Sequence, residues 1–446
     1  MLKSTAAQQL AEFAHALRPE AIPTDVRALA WSCLTDAVGC AAFGAQFSWS
    51  RMIIEQAAAG AAPGSCHLPT LSLPGLPVEQ AALIAGACAH AFELDSLRKP
   101  GAGVHPGATV ALPALMVAQD IGAGLEDLLC AIVAGTEVMF RIGNATLHSA
   151  EQRGFHAPGI TGPFGAAVAT GLLRGLSLQQ MVDAFGIAGS MSGGLLAFSH
   201  AGGGMVKRLH MGRAAQGGVF AANLAARGYE GPNTVLEGKF GLLEAYCQNS
   251  EPARLTAGLG TDWQTRQLCL KRYACHVTAQ APVECLREMM SAHDFSAEDI
   301  STIDLAVSDK VLSHHSNPAP TDLAGAQYSV PYVLAVAALN NPDDPKTFIN
   351  ALDQPAAAEL AARITLHSAA ADQDKWGATL AVRLVSGRVF DASKNSFLGT
   401  PERPFTSNDM ASKFASLTGR NFDTGCPKET AKWLAPRVPD SPVGRT

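Results

Sequence analysis

The chain has 446 residues, enough for two to three domains of ordinary size. Hydrophobic side chains make up 48% of it and charged ones only 16%, so much of its surface must be buried, part of it against another subunit. A net charge of −6 without a basic run argues against nucleic acid as a partner.

Met1 to Arg18 is amphipathic (Leu10, Phe13, Ala14, Leu17), with no signal-peptide core or cleavage site. No uninterrupted Leu/Ile/Val run of about 18 residues occurs, so a cytoplasmic protein with no membrane partner is expected. The ten cysteines are scattered and form no CxxC pair, which reads as buried thiols in a reducing compartment rather than disulfides or a zinc site.

Residues 4–60 carry apolar side chains at helical spacing; Ala30, Leu34, Ala37, Val38 and Ala41 share a face, and Pro23-Thr24-Asp25 is a start signal. A Gly/Pro loop spans 61–78, and helical patterns return at 79–91, 107–123 and 126–144. Between the first two lies Phe92-Glu-Leu-Asp-Ser-Leu-Arg-Lys-Pro-Gly-Ala-Gly-Val-His-Pro-Gly107, an acid, two bases and a histidine in a turn between buried helices. A Gly-rich segment, 144–159, holds His148 and His156, and helices are predicted at 160–174 and 178–190. After Ser192-Gly-Gly and Gly202-Gly-Gly204, Lys207, Arg208, His210 and Arg213 open an Ala-rich helix to about Arg227. Nothing before 227 reads as a strand.

Near Gly258 the pattern changes. Residues 267–273 are strand-like, 280–293 and 328–340 helical, and 300–307, 363–366 and 378–385 alternate as strands do, the last entering a Ser386-Gly387 hairpin. Residues 404–435 are again helical. The expected fold is mainly α with an α+β second domain: a large all-helical domain at 1–257, an α+β lid at 258–396, and a C-terminal helical segment at 397–446 that returns to the first domain.

Asp95 and His105 could pair a carboxylate with an imidazole for proton transfer, or be an N-cap and a surface histidine. Lys207, Arg208, His210 and Arg213 at a Gly-rich helix start would suit a carboxylate or phosphate, or form a solvated basic face. Lys271 and His276, in Lys271-Arg-Tyr-Ala-Cys-His276, stand at the joint between the two domains as a carboxylate clamp and an acid or base, or as an edge-strand pair. His314-His315 reads as an exposed loop, and Tyr328-Ser-Val-Pro-Tyr332 places two phenols near a helix start, one of them core packing. No dinucleotide fingerprint, P-loop or serine-hydrolase elbow is present. These residues point to acid/base chemistry on a small anionic molecule.

Five ordered segments together resemble the MmgE/PrpD family, whose members include 2-methylcitrate dehydratases, cis-aconitate decarboxylases and iminodisuccinate epimerase. They are His90-Ala-Phe-Glu-Leu-Asp95 with His105-Pro-Gly, Gly154-Phe-His156 with Gly162-Pro-Phe-Gly-Ala-Ala, Gly204 to Ala215, Lys271 to His276, and Gln327 to Tyr332. The resemblance implies a homodimer without metal or other cofactor, with an active site in the cleft between a helical domain and an inserted lid. Carried over, it implies Asp95, His105, His156, His276 and Tyr332 as catalytic residues and Lys207 and Lys271 as ligands of the substrate carboxylates. Arg98 and Lys99 stand where relatives often have Thr or His, and Gln280 near a place where an additional His often follows; Arg98 and Arg208 are expected as further carboxylate ligands. The expected activity is a lyase reaction on a di- or tricarboxylate with proton transfer α to a carboxylate. Dehydration of a 2-methylcitrate-like substrate is placed first, then decarboxylation of cis-aconitate, then epimerisation or isomerisation. A non-catalytic organic-acid binder is the alternative from another class.

Overall fold

The structure, a computed structural model, describes residues 4–68, 73–101, 103–201 and 204–420. The chain divides into two compact units, one of residues 1–91, 95–269 and from Ser407 onward, the other of Phe92–Leu94 and Leu270–Thr406. Composition shifts near Gly258, yet 257–267 stays fastened to the first unit. Buried Glu137 accepts hydrogen bonds from the Thr265 N–H and hydroxyl and the Gln264 N–H, and Arg141 donates to the carbonyls of Ala257 and Asp262.

The first unit is helical: α1 (Ala6–Ala16), α2 (Thr24–Gly44), α3 (Ser48–Ala58), α4 (Val78–Ala89), α5 (Leu112–Ile121), α6 (Leu125–Ala145), the short α7 (Ser149–Gln152), α8 (Ala157–Leu173), α9 (Leu178–Ser190), α10 (Phe198–Ala201), α11 (Val206–Ala225) and α12 (Leu242–Tyr246). Local signals set several ends. The Thr5 hydroxyl caps α1, Ser177 and Gln180 form a capping box on α9, and Gly122 closes α5 in the left-handed conformation. A π-helical turn, Gly107–Ala111, precedes α5.

The Ala/Gly composition lets α11 lie close against both α4 and α8. A Cβ added at Gly212 would stand 2.4 Å from the Leu83 carbonyl oxygen, and one at Gly218 2.4 Å from that of Pro163. The end of α4 and the starts of α8 and α11 carry the polar groups described below. Helices α2 and α6 are long and apolar enough to cross a membrane, but 67% and 94% of their apolar windows are buried within the fold.

One two-residue ladder breaks the expectation of no strand before 227. β1 (Leu97–Arg98) pairs antiparallel with β2 (Leu268–Cys269), which is all that forms of the strand expected over 267–273. A ladder this short has no periodicity to read.

The second unit holds a sheet of order β4-β3-β5-β6, built from β3 (Ile300–Val307), β4 (Ile364–Ser368), β5 (Ala378–Leu384) and β6 (Val389–Lys394). β3 runs parallel to β4 and antiparallel to β5, and β5–β6 is the expected hairpin, with Gly387 at φ 85° in its turn. Alternate residues of β5 (Ala378, Leu380, Val382, Leu384) are buried, against α13 (Gln280–His293). Helices α14 (Asp309–His314), α15 (Leu323–Tyr328), α16 (Val330–Leu339) and α17 (Pro355–Ala361) make the crossover between the parallel strands. Glu284 on α13 ties down the segment after the hairpin by accepting from Lys394 Nζ at 2.9 Å, from the Leu398 N–H at 2.8 Å and from Arg403.

The chain returns to the first unit with α18 (Ser407–Thr418), where Lys413 forms a buried ion pair with Asp36 of α2. Beyond residue 420, the helix expected over 404–435 lies outside the described residues. The fold is mainly α with an α+β second part.

Candidate active site

Asp95 is fully buried and lies between two imidazoles. His90, the residue that ends α4, presents Nδ1 at 2.9 and 3.0 Å from its two carboxylate oxygens, and His105 presents Nδ1 at 3.0 Å from Oδ2. His105 Nδ1 is also 3.0 Å from the Ser96 carbonyl oxygen. Carboxylate and carbonyl oxygens only accept, so the proton of each neutral ring sits on Nδ1 and the lone pair on Nε2. Burial opposes charge on Asp95, but the two imidazoles hold its carboxyl well below the ordinary range. His90, pushed down to about 3 by burial against the pull of Asp95, is neutral. The Ser96 hydroxyl accepts the Gly107 N–H, which pins the start of the π-helical turn behind His105.

A second pair stands nearby in the same unit. His156, at the N-cap of α8, has its Nδ1 3.0 Å from Nδ1 of His210 on α11, and the Phe198 ring is edge-on to both. Lys207, buried one turn before His210, lies close enough that its charge, after burial itself, lowers the pKa of His90, His156 and His210. Asp95, His105, His156 and Lys207 are therefore brought together; of the two further members, the sequence reading gave His90 no role and placed His210 only in the candidate anion-binding group with Lys207. Both stood in quoted motifs; the only signal for His90 was its place five residues before Asp95 at a helix end.

Two expected carboxylate ligands serve the protein instead. Arg98 donates to the Pro100 carbonyl at 2.7 Å and to Gln264 Oε1 at 3.0 Å; burial lowers its pKa to about 10, still cationic at neutral pH. Arg208 donates to the carbonyls of Ala91 and Gly204 and lies 5.0 Å over the Trp49 ring.

In the second unit, Lys271 Nζ donates to the Glu93 carbonyl at 2.8 Å and faces its carboxylate at 3.3 Å. Glu93 has φ 57°, a left-handed backbone unusual for a side-chain-bearing residue and of the kind concentrated at functional segments. The Lys271 charge is thus matched by a buried acid that the sequence reading did not pair with it. His276 Nδ1 lies 2.9 Å from the Thr278 hydroxyl and 3.5 Å from the Thr278 N–H, so the start of the following helix holds the ring. Burial and His315 hold its pKa well below the histidine range.

His315, expected in an exposed loop, is buried and lies 4.2 Å from the His276 ring. Of the two phenols, Tyr328 is the one beside His276, at 4.8 Å between ring centres; Tyr332 is buried and donates its hydroxyl to the Ala351 carbonyl at 2.8 Å. The tyrosines are four residues apart on neighbouring short helices, and spacing could not separate them. Gln280 staples the loop before it, accepting from the Arg272 and Tyr273 N–H groups at 3.0 Å each.

His90, Asp95 and His105 also form the group found among the described residues whose ligand atoms, all within 4.8 Å, could hold a metal ion. Each imidazole offers either nitrogen to an ion, and coordination through Nδ1 would cost that ring its hydrogen bond to Asp95. The 2.9–3.0 Å contacts are those of N–H···O hydrogen bonds.

Sequence comparison places these groups in a family. The MmgE/PrpD N-terminal domain model matches residues 8–255 and the MmgE/PrpD C-terminal domain model residues 273–431. The chain belongs to the MmgE/PrpD family. Among the proteins it is similar to is a cis-aconitate decarboxylase of Aspergillus terreus, 30% identical over 96% of this chain and 92% of its own length. The cis-aconitate decarboxylase-like protein oryM of Aspergillus oryzae is 29% identical over 93% and 91%. The cis-aconitate decarboxylase of Homo sapiens is 27% identical over 78% and 75%.

Proposed function

We propose that this protein is a lyase of a small tricarboxylate that works by histidine proton transfer, and that it decarboxylates cis-aconitate or a close analogue. The observation that carries the chemistry is the buried Asp95 carboxylate holding the Nδ1–H of His105, which leaves Nε2 as the atom that takes up and gives back a proton. The names of the relatives weigh for decarboxylation over the 2-methylcitrate dehydration that family breadth alone placed first.

In this reading Lys207 binds a substrate carboxylate and stabilises the charge that develops beside it. The bond between the CH2 carbon and its carboxylate breaks and CO2 leaves. The freed electron pair forms a new double bond to the central carbon, and the former π pair moves to the distal carbon, next to another carboxylate. There it takes the proton from Nε2 of His105 in its imidazolium form, which Asp95 stabilises across the ring, as the aspartate does in a Ser-His-Asp triad. The product is an unsaturated dicarboxylate, and His105 regains its proton from solvent.

We read the protein further as a cytoplasmic homodimer that needs no metal; the nine described cysteines, all free and buried, support a reducing compartment. The test is to incubate the purified protein, with chelator, separately with cis-aconitate, 2-methylcitrate and a chiral dicarboxylate. CO2 release from cis-aconitate alone is expected. Alkene formation from 2-methylcitrate without CO2 would make it a dehydratase, loss of optical activity alone an epimerase, and calorimetric binding without turnover a binder. A requirement for added metal would refute the metal-free part.

A further inference from the structure

The Nδ1 atoms of His156 and His210 are 3.0 Å apart. Two imidazoles hydrogen-bond through like nitrogens only when one carries a proton there and the other does not. Such a contact therefore couples the two neutral rings: the donor carries its proton on Nδ1, the acceptor carries its own on Nε2, and neither ring can change tautomer alone while the bond lasts.

The surroundings hold this pair in place. The His210 ring lies flat on Gly194, where a Cβ would come within 3.2 Å of Nδ1, 3.3 Å of Cγ and 3.4 Å of Cε1. Gly194 has φ 134°, which glycine adopts without strain, and its carbonyl accepts the His156 N–H at 3.0 Å. On either side of it the Gly193 N–H donates to the Gly159 carbonyl at 3.1 Å and the Leu196 N–H to that of Gly154 at 2.8 Å. The same Gly193-Gly194 loop thus seats the backbone of one histidine and the ring of the other. His210 is half-buried, whereas His156 is buried.

We propose that His210 is a positioning residue, holding the His156 ring in one orientation and one tautomer so that Nε2 of His156 enters the reaction in a defined protonation state. The importance for turnover rests on the lyase reading; the tautomer does not.

The test uses full-length protein with 15N-labelled histidine rings and reads the His156 tautomer from two-bond proton–nitrogen correlations, with His156→Gln assigning its signals. Wild type is expected to show one neutral tautomer. His210→Phe, which keeps a ring on Gly194 but removes the nitrogen, is expected to show the two His156 tautomers in exchange and to lower kcat about ten- to a hundredfold with KM within about twofold, the scale seen when outer partners of functional histidines are removed. His210→Asn, whose amide can donate or accept at the Nδ1 position, is expected to restore the single tautomer and much of kcat. An exchanging mixture in the wild type, or His210→Phe with the wild-type tautomer and kcat, overturns the proposal. Should no substrate turn over, the lyase reading fails and the tautomer arm still decides this one.

Discussion

Asp95 is the residue on which the proposed chemistry turns, because its two oxygens take the Nδ1–H of both His90 and His105. An amide in its place offers one accepting oxygen and one N–H2 group, and the ring that meets the N–H2 has to move its proton to Nε2. For His105 the change also removes the negative charge that, in the proposed reaction, stabilises its imidazolium form across the ring. Asp95→Asn is therefore expected to cut kcat by about 10²–10⁴-fold with little change in KM, and His105→Ala to do the same. Steady-state kinetics on cis-aconitate checks both, and an unchanged kcat in either variant would remove the proton-transfer role. Lys207→Met belongs with them as a contrast: loss of a carboxylate-binding cation is expected to raise KM as well as lower kcat.

At the scale of elements, α18 joins the first unit from the far end of the chain through a buried Lys413–Asp36 pair, with Phe414 and Leu417 closing against Gly39 of α2. Removing one partner strands a buried charge. Lys413→Met alone is expected to cost about 3–5 kcal/mol in urea unfolding, and the added change Asp36→Leu to recover much of it. A cost below about 1 kcal/mol for the single change would show that the pair does not hold the helix. The elements were legible in proportion to their length and regularity. The apolar periods of 178–190 and 280–293 coincide with α9 and α13, and the alternation of 300–307 with β3. Leu97–Arg98 was missed because a two-residue strand has no pattern, and the parallel pairing of β4 with β3 because pairing is set by the crossover helices between them. In the site, Asp95 and His105 were readable as an acid and a histidine on one loop. The pairings of His90, His210, Glu93 and His315 were not, since each depends on a partner brought in by folding.

Across the whole molecule, neutral histidines in buried places make stability depend on pH. His90 is lowered to about 3, and His156 and His276 well below 6.5, mainly by burial. As pH falls below 6.5 the unfolded chain takes up these protons and the folded one does not, so stability declines, by up to about 1.4 kcal/mol per pH unit for each histidine. Asp95 acts lower: its depressed folded value contributes stability above 3.8 that is lost only as pH drops through that folded value. Urea unfolding between pH 7 and 5 is expected to show falling stability, with His90→Gln reducing the slope; stability constant or rising toward pH 5 would contradict the neutral-histidine reading.

The central claim, decarboxylation with proton return by the Asp95–His105 pair, is tested most directly by proton NMR of cis-aconitate turned over in D2O. The expected result is release of CO2 and an unsaturated dicarboxylate carrying one deuteron on its saturated methylene carbon, at a rate strongly reduced in His105→Ala. Conversion without CO2, or deuterated product formed at the wild-type rate by His105→Ala, would contradict it.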